Sequence, residues 1–160
     1  CEMCIRDRAK GTYRLVMFHH SFEHLPDPHA AMRDARRLVA RDGYALLRVP
    51  TCSSAAWDIY GTAWVQLDPP RHLYLYSRES LKLLAEAHGF KLVRIEDDSD
   101  GFQFWGSEQY KRDIPANDPR GHSKSRPMFS AAELAEFENR ARELNARERG
   151  DQFRAILAPV

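Results

Sequence analysis

No Gly-x-Gly occurs in this 160-residue chain; its eight glycines are scattered at positions 11, 43, 61, 89, 101, 106, 121 and 150, so no glycine-rich ligand loop can be placed on it. Cysteine is scarce too. Three cysteines, at 1, 4 and 52, make no disulfide framework, and Cys1-x-x-Cys4 is a half site with no second pair to complete tetrahedral zinc. Neither charge sign dominates: 24 Lys and Arg against 23 Asp and Glu leave a net charge of +1, which gives no electrostatic argument for nucleic acid or an anionic membrane. No apolar run approaches the roughly 18 residues a membrane span needs, and no signal peptide is visible. A composition of 43% hydrophobic and 29% charged residues is that of an ordinary globular chain. One domain in the cytoplasm, with no metal, is the expectation.

What is present concentrates between Tyr13 and Pro28. Leu15 to Phe18 is a short, continuous apolar run, which suits a strand buried on both faces of a parallel sheet. At its carboxyl end come His19, His20, Ser21, Glu23 and His24, and in open α/β sheets ligands sit in the crevice outside the carboxyl ends of the strands. Asp27 is a good N-cap and Pro28 suits the first helical position. Met32, Ala35, Leu38 and Val39 recur at helical spacing, predicting a helix over 28–40 that Gly43 ends and a strand over 44–49.

The apolar strand running into Glu23-His24-Leu25-x-Asp27-Pro28 resembles the fourth-strand region of class I S-adenosylmethionine-dependent methyltransferases. Tyr44 to Pro50 resembles their fifth strand, and Asp68-Pro-Pro-Arg-His-Leu-Tyr-Leu-Tyr-Ser77 the loop that follows it in one bacterial subgroup. Ser80 to Phe90 resembles the next helix and its exit. The resemblance implies an α/β, Rossmann-like fold, S-adenosylmethionine as cofactor and a small-molecule acceptor as partner. It implies strands four to seven with flanking helices, a C-terminal half, because that family's glycine-rich loop and acidic second-strand end are absent. Such a half is expected to be inactive alone, with residues 9–160 as part of one domain, 51–77 as a lid-like insertion and 114–127 as a mobile loop. Residues 1–8, whose Met3 to Arg8 resembles sequencing-adapter read-through, are expected to be a non-native extension.

Ser77 is expected to cap a helix over 78–88 with Leu81, Leu84 and Ala85 buried, followed by a half-buried strand over 91–96 that alternates Val93 and Ile95 against Leu92, Arg94 and Glu96. Phe102 to Lys111 reads as a helix. Ser130 with Glu133 makes a capping box, and Phe129 with Leu134 a hydrophobic staple, for a helix over 131–147. Gln152 to Leu157 is the final strand, which in the family resembled runs antiparallel between the fifth and sixth.

By position in that family, His19, His20 and Ser21 are the expected cofactor contacts, and His20 is a candidate proton acceptor. Arg71 can clamp an anionic group and His72 can take a proton from an acceptor hydroxyl, with Trp64 and Tyr74 completing the expected acceptor contacts. Glu23 and His24 are expected to bond the loop backbone. Two readings of another kind stand beside this one. His20-x-x-Glu23-His24 formally matches the inverted zinc-peptidase motif, although Pro26 and Pro28 disfavour the helix that motif requires and no third ligand is singled out. A non-enzymatic partner or decayed half-domain is the other.

Overall fold

The computed structural model describes residues 10–115, 118–123 and 125–160; the expectations for residues 1–8, including Cys1-x-x-Cys4, lie outside them. The elements run β1 (Tyr13–His19), α1 (Pro28–Leu38), β2 (Val39–Pro50), α2 (Ala55–Tyr60), α3 (Arg78–Ala87), β3 (Phe90–Asp97), α4 (Phe102–Tyr110), α5 (Ala131–Ala146) and β4 (Gln152–Pro159). They form one sheet of order β1-β2-β4-β3. β1 and β2 are parallel, joined through α1, while β4 lies antiparallel between β2 and β3. That is the position the resemblance implies for the final strand. Because β4 runs opposite to β2, its first residues come back to the carboxyl end of β1.

Local chemistry sets the helices. The Asp27 carboxylate accepts from Ala30 N at 2.8 Å with Pro28 at the first position, and Met32, Ala35 and Leu38 are buried. The helix stops at Leu38, two residues before the predicted end, because Val39 already pairs with Tyr13 of β1. Gly43, expected to end the helix, instead lies within β2 where the register with β1 shifts. A Cβ there would stand 2.9 Å from the carbonyl oxygens of both Tyr13 and Arg14, so only glycine fits. Ser77 and Ser130 form capping boxes with Ser80 and Glu133, which seat α3 and α5. Phe129 packs edge-on against Phe137, with ring centroids 5.5 Å apart. At the start of α4, Asp100 accepts from Phe102 N at 2.8 Å.

The core lies on one face of the sheet, where Ala45, Leu47, Val49, Phe153, Ala155 and Leu157 meet Met32 and Ala35 of α1 and Leu81 and Ala85 of α3. The other face differs from expectation. Val16 and Phe18 pack on the core, but Leu15 is 53% and Met17 56% exposed, because no described element packs over them. The alternation expected of the 91–96 strand is broken by a bulge between Leu92 and Arg94, so Val93 is 52% exposed while Ile95 packs against the core. The 51–77 segment holds α2 and two 3-10 turns, Gly61–Ala63 and Val65–Leu67. In 114–127 no helix or strand occurs among the described residues, and Gln109 ties the segment down through Pro115 O and His122 N. Among the described residues, no helix is long and apolar enough to cross a membrane.

Candidate functional site

β1 ends where His20 takes a φ of 46°, a left-handed conformation that a non-glycine residue adopts at a cost of order 1 kcal/mol. The strain redirects the chain into the 3-10 turn Phe22–His24. Phe22 anchors that turn: it is fully buried, edge-on to Phe18 at 5.2 Å. With Phe22 in the core, the neighbouring Glu23 is drawn in as well and has no exposed surface.

The insertion after β2 returns to this turn. Asp68, also left-handed at φ 40°, accepts from Arg71 N and His72 N through its carbonyl, on either side of a cis peptide at Pro69–Pro70. The chain then runs along the turn: Leu73 N donates to Glu23 O at 2.9 Å, and the Tyr74 hydroxyl donates to Pro26 O at 3.2 Å. Two imidazoles are held by backbone carbonyls. His72 Nδ1 donates to Gln66 O at 2.7 Å and His24 Nδ1 to Arg71 O at 2.8 Å. A carbonyl can only accept, so each ring carries a hydrogen on Nδ1, and His72 Nε2 faces two carboxylates, Asp68 Oδ2 at 3.8 Å and Glu23 Oε1 at 4.0 Å. The two rings stand 4.8 Å apart.

Between them lies the Glu23 carboxylate, buried, with no hydrogen-bond partner on either oxygen. His20 Nδ1 is 3.6 Å and His72 Nε2 4.0 Å from its Oε1. Burial by itself pushes this carboxyl up; His20, the turn's own backbone and His72 outweigh it and hold it below the usual glutamate range.

His20 also faces a polar cavity of about 240 Å³, lined by Arg48, Gln66, Asp100, Phe102, Gln103, Asp151 and Gln152. Asp151 is buried and accepts from the Trp64 indole N–H at 3.0 Å. Burial pushes its carboxyl up to about 6 against the lowering effect of Trp64 and Ser99. Gln103 is 1% exposed and its Oε1 has no partner.

A methyltransferase-domain family model matches residues 5–95, more than half of the chain. The chain belongs to the methyltransferase-domain family. Solved structures agree on the fold. A SAM-dependent methyltransferase from Archaeoglobus fulgidus has a TM-score of 0.54 at 20% identity, over 99% of this chain and 64% of that one. For a possible histamine N-methyltransferase from Thermotoga maritima the TM-score is 0.57 at 13% identity, over 96% and 59%. For the geranyl diphosphate C-methyltransferase of Streptomyces coelicolor, solved with Mg2+, geranyl diphosphate and S-adenosyl-L-homocysteine, it is 0.53 at 13%, over 100% and 52%. No curated protein matches. The chain thus has the Rossmann-like class I fold and spans about half to two thirds of the structures it matches.

Within this methyltransferase domain the residues singled out from sequence divide. His20 and His72 converge on Glu23, with His24 beside them. His19 lies on the exposed face of β1, where its Nε2 accepts from Arg48 at 2.9 Å and Arg48 pairs with Asp98 at 2.7 Å. Ser21 precedes the 3-10 turn, and its side chain caps nothing there. Arg71 is exposed, its guanidinium already bound to Asp68. Trp64 is not at an acceptor surface: it is fully buried, its one polar atom bound to Asp151. Tyr74 is 40% exposed and stacks on Tyr76. The zinc-peptidase arrangement is absent, because His20 follows the end of β1 and His24 closes a 3-10 turn, so no α-helix carries the pair. Sequence reasoning missed Arg48, Gln103 and Asp151. Asp151 was within reach: an acidic residue just ahead of an antiparallel β4 must stand at the carboxyl end of β1 and β2.

Proposed function

We propose that this chain forms the acceptor side of an S-adenosylmethionine-dependent methyltransferase domain that modifies a small polar molecule held in the cavity beside His20. The observation that carries this reading is His20 itself, whose left-handed backbone turns its ring to the cavity while Glu23 stands 3.6 Å behind it. The described residues fit the methyl end of the cofactor only, since no glycine-rich loop is present to hold a nucleotide; that part falls to residues outside this chain. When bound, S-adenosylmethionine supplies an electrophilic methyl carbon whose bond to sulfur breaks with the electron pair going to sulfur.

The chain's own groups do the rest. The cavity lining orients the acceptor so that its lone pair lies in line, and most of the rate can come from that positioning and from excluding water. His20 takes the proton the acceptor gives up, and the Glu23 carboxylate stabilises the imidazolium that results. His19 and Ser21 line the approach of the methionine end. His72, 4.0 Å from Glu23 Oε1, helps keep that carboxylate ionised behind His20, and Arg71 and Tyr74 lie in the lid outside the cavity lining.

The test uses the whole gene product that contains this chain. Transfer of tritium from S-adenosyl-[methyl-3H]methionine is followed over a panel of small hydroxyl, amine and carboxyl acceptors. His20→Gln is expected to lower transfer by about 10²–10⁴-fold, with the acid limb of the pH profile removed. Transfer by H20Q at the wild-type rate, or no transfer to any acceptor class by the whole product, contradicts the reading.

A further inference from the structure

Glu23, His24 and His72 present one ligand atom each, all within 4.8 Å of one another. We infer that these three side chains form a binding site for a divalent transition-metal ion, of which zinc is the probe of choice. Three independent features support it. First, the donor set of two imidazoles and one carboxylate is that of catalytic zinc sites with an open position, and two imidazoles disfavour magnesium or calcium, which take oxygen ligands. Second, both imidazoles are already oriented as ligands: Nδ1 of each donates to a backbone carbonyl, Gln66 O or Arg71 O, which is the outer-shell arrangement metal-binding histidines use, and His72 Nε2 faces the carboxylates of Glu23 and Asp68 at 4.0 and 3.8 Å. Third, a buried carboxylate with both oxygens unpartnered is costly by itself, and a cation removes that penalty.

The geometry needs little adjustment. Zinc holds nitrogen and oxygen ligands at about 2.0–2.2 Å, which puts tetrahedral ligands about 3.4 Å apart. The widest pair must therefore close by up to about 1.4 Å, and His24, exposed at the rim, can shift together with the Arg71 carbonyl that holds its Nδ1. His20 Nδ1 and His72 Nε2 both approach Glu23 Oε1, so the carboxylate serves the ion and His20 together only by offering its second unpartnered oxygen to one of them. The ligands come from two segments 48 or more residues apart in sequence, so binding would also fasten the lid to the turn after β1. None of the three ligands lines the cavity beside His20; on the methyl-transfer reading, and resting on it, the ion would act through Glu23, holding the carboxylate that stands 3.6 Å behind His20.

The metal site is tested without any methyl transfer. The chelator-washed 160-residue chain, carrying Cys1→Ser and Cys4→Ser so that those thiols do not compete, is titrated with Zn2+ by calorimetry and with Co2+ by visible absorption. The expected result is one site per chain, weakened about 100-fold or more by His72→Ala and by Glu23→Gln. His88→Ala is expected to leave it unchanged, although His88 and His29 form another close histidine pair, with ring nitrogens 2.9 Å apart. Circular dichroism identifies any variant that fails to fold, and His72→Gln, which keeps size and polarity, then replaces the alanine. No zinc taken up by the folded chain, equal affinity in H72Q and E23Q, or loss of the site in H88A overturns the inference. Zinc bound as expected with no methyl transfer by the whole product would leave the metal site standing and remove only its link to His20.

Discussion

Two carboxylates are buried at the same end of the same sheet, and their surroundings are opposite. Asp151 is satisfied by a neutral donor, the Trp64 indole, and its carboxyl is pushed up to about 6 by burial. Glu23 has no hydrogen-bond donor on either oxygen, yet imidazoles gathered around it hold its carboxyl below the usual range. The difference separates structure from chemistry. A carboxylate that a fold merely tolerates is capped by a neutral group and drifts towards its protonated form. One kept ionised, unpartnered and ringed by histidines is arranged for a positive charge, be it the imidazolium of His20 or a metal ion.

The strongest way to break the comparison is to remove the Asp151 cap. Trp64→Ala opens a large cavity and strips the donor at once, and it is expected to destabilise the fold by about 3–5 kcal/mol in urea denaturation. A smaller loss than for an ordinary surface change would mean that Trp64 is not the anchor its burial indicates.

The pH dependence sharpens the contrast because the two groups have opposite signs. Asp151 has a folded value above its unfolded one, so the native state binds the extra proton and stability falls as pH rises from about 4 to 6. From 3.8 to about 6 the penalty is on the order of 3 kcal/mol above that window. Asp151→Asn keeps an acceptor for the indole and is expected to reduce the slope and stabilise the protein at neutral pH; the remainder comes from Asp97, which burial also raises to about 6. Glu23 has a folded value below its unfolded one, so its contribution is present above the ordinary glutamate range and is lost as pH falls. Glu23→Gln is expected to remove that acid-side loss. Thermal denaturation of the two variants from pH 3.5 to 7.5 checks both, and slopes of the same sign would contradict the assignment. The smallest effect is expected from Tyr74→Phe. It removes the rim bond to Pro26 O at about 0.5–1 kcal/mol, and hydrogen exchange at Leu73 should rise while that at Val49 does not.

Local signals carried most of the fold. The apolar run of β1, the Asp27–Pro28 start of α1, the capping boxes of α3 and α5 and the final strand were all legible in the sequence. What was not legible depended on pairing across distance. Val39 continues the helical apolar period, but its partner Tyr13 pulls it into β2. Gly43 looks like a helix stop until the carbonyls of Tyr13 and Arg14 are placed against it. The site divides in the same manner. His20, Glu23 and His24 announce themselves by spacing, whereas the turn at Asp68 that brings His72 to Glu23 is tertiary. Trp64 shows the converse error, since an aromatic in a lid invites a binding role that complete burial removes.

The most direct test of the central claim, that methyl transfer takes place at the carboxyl end of β1, is the crystal structure of the whole gene product with S-adenosylhomocysteine. The account predicts the sulfur against His19 and His20 at the mouth of the cavity lined by Arg48 and Gln103. A sulfur bound anywhere else on the molecule, with His20 facing solvent or protein alone, would contradict it.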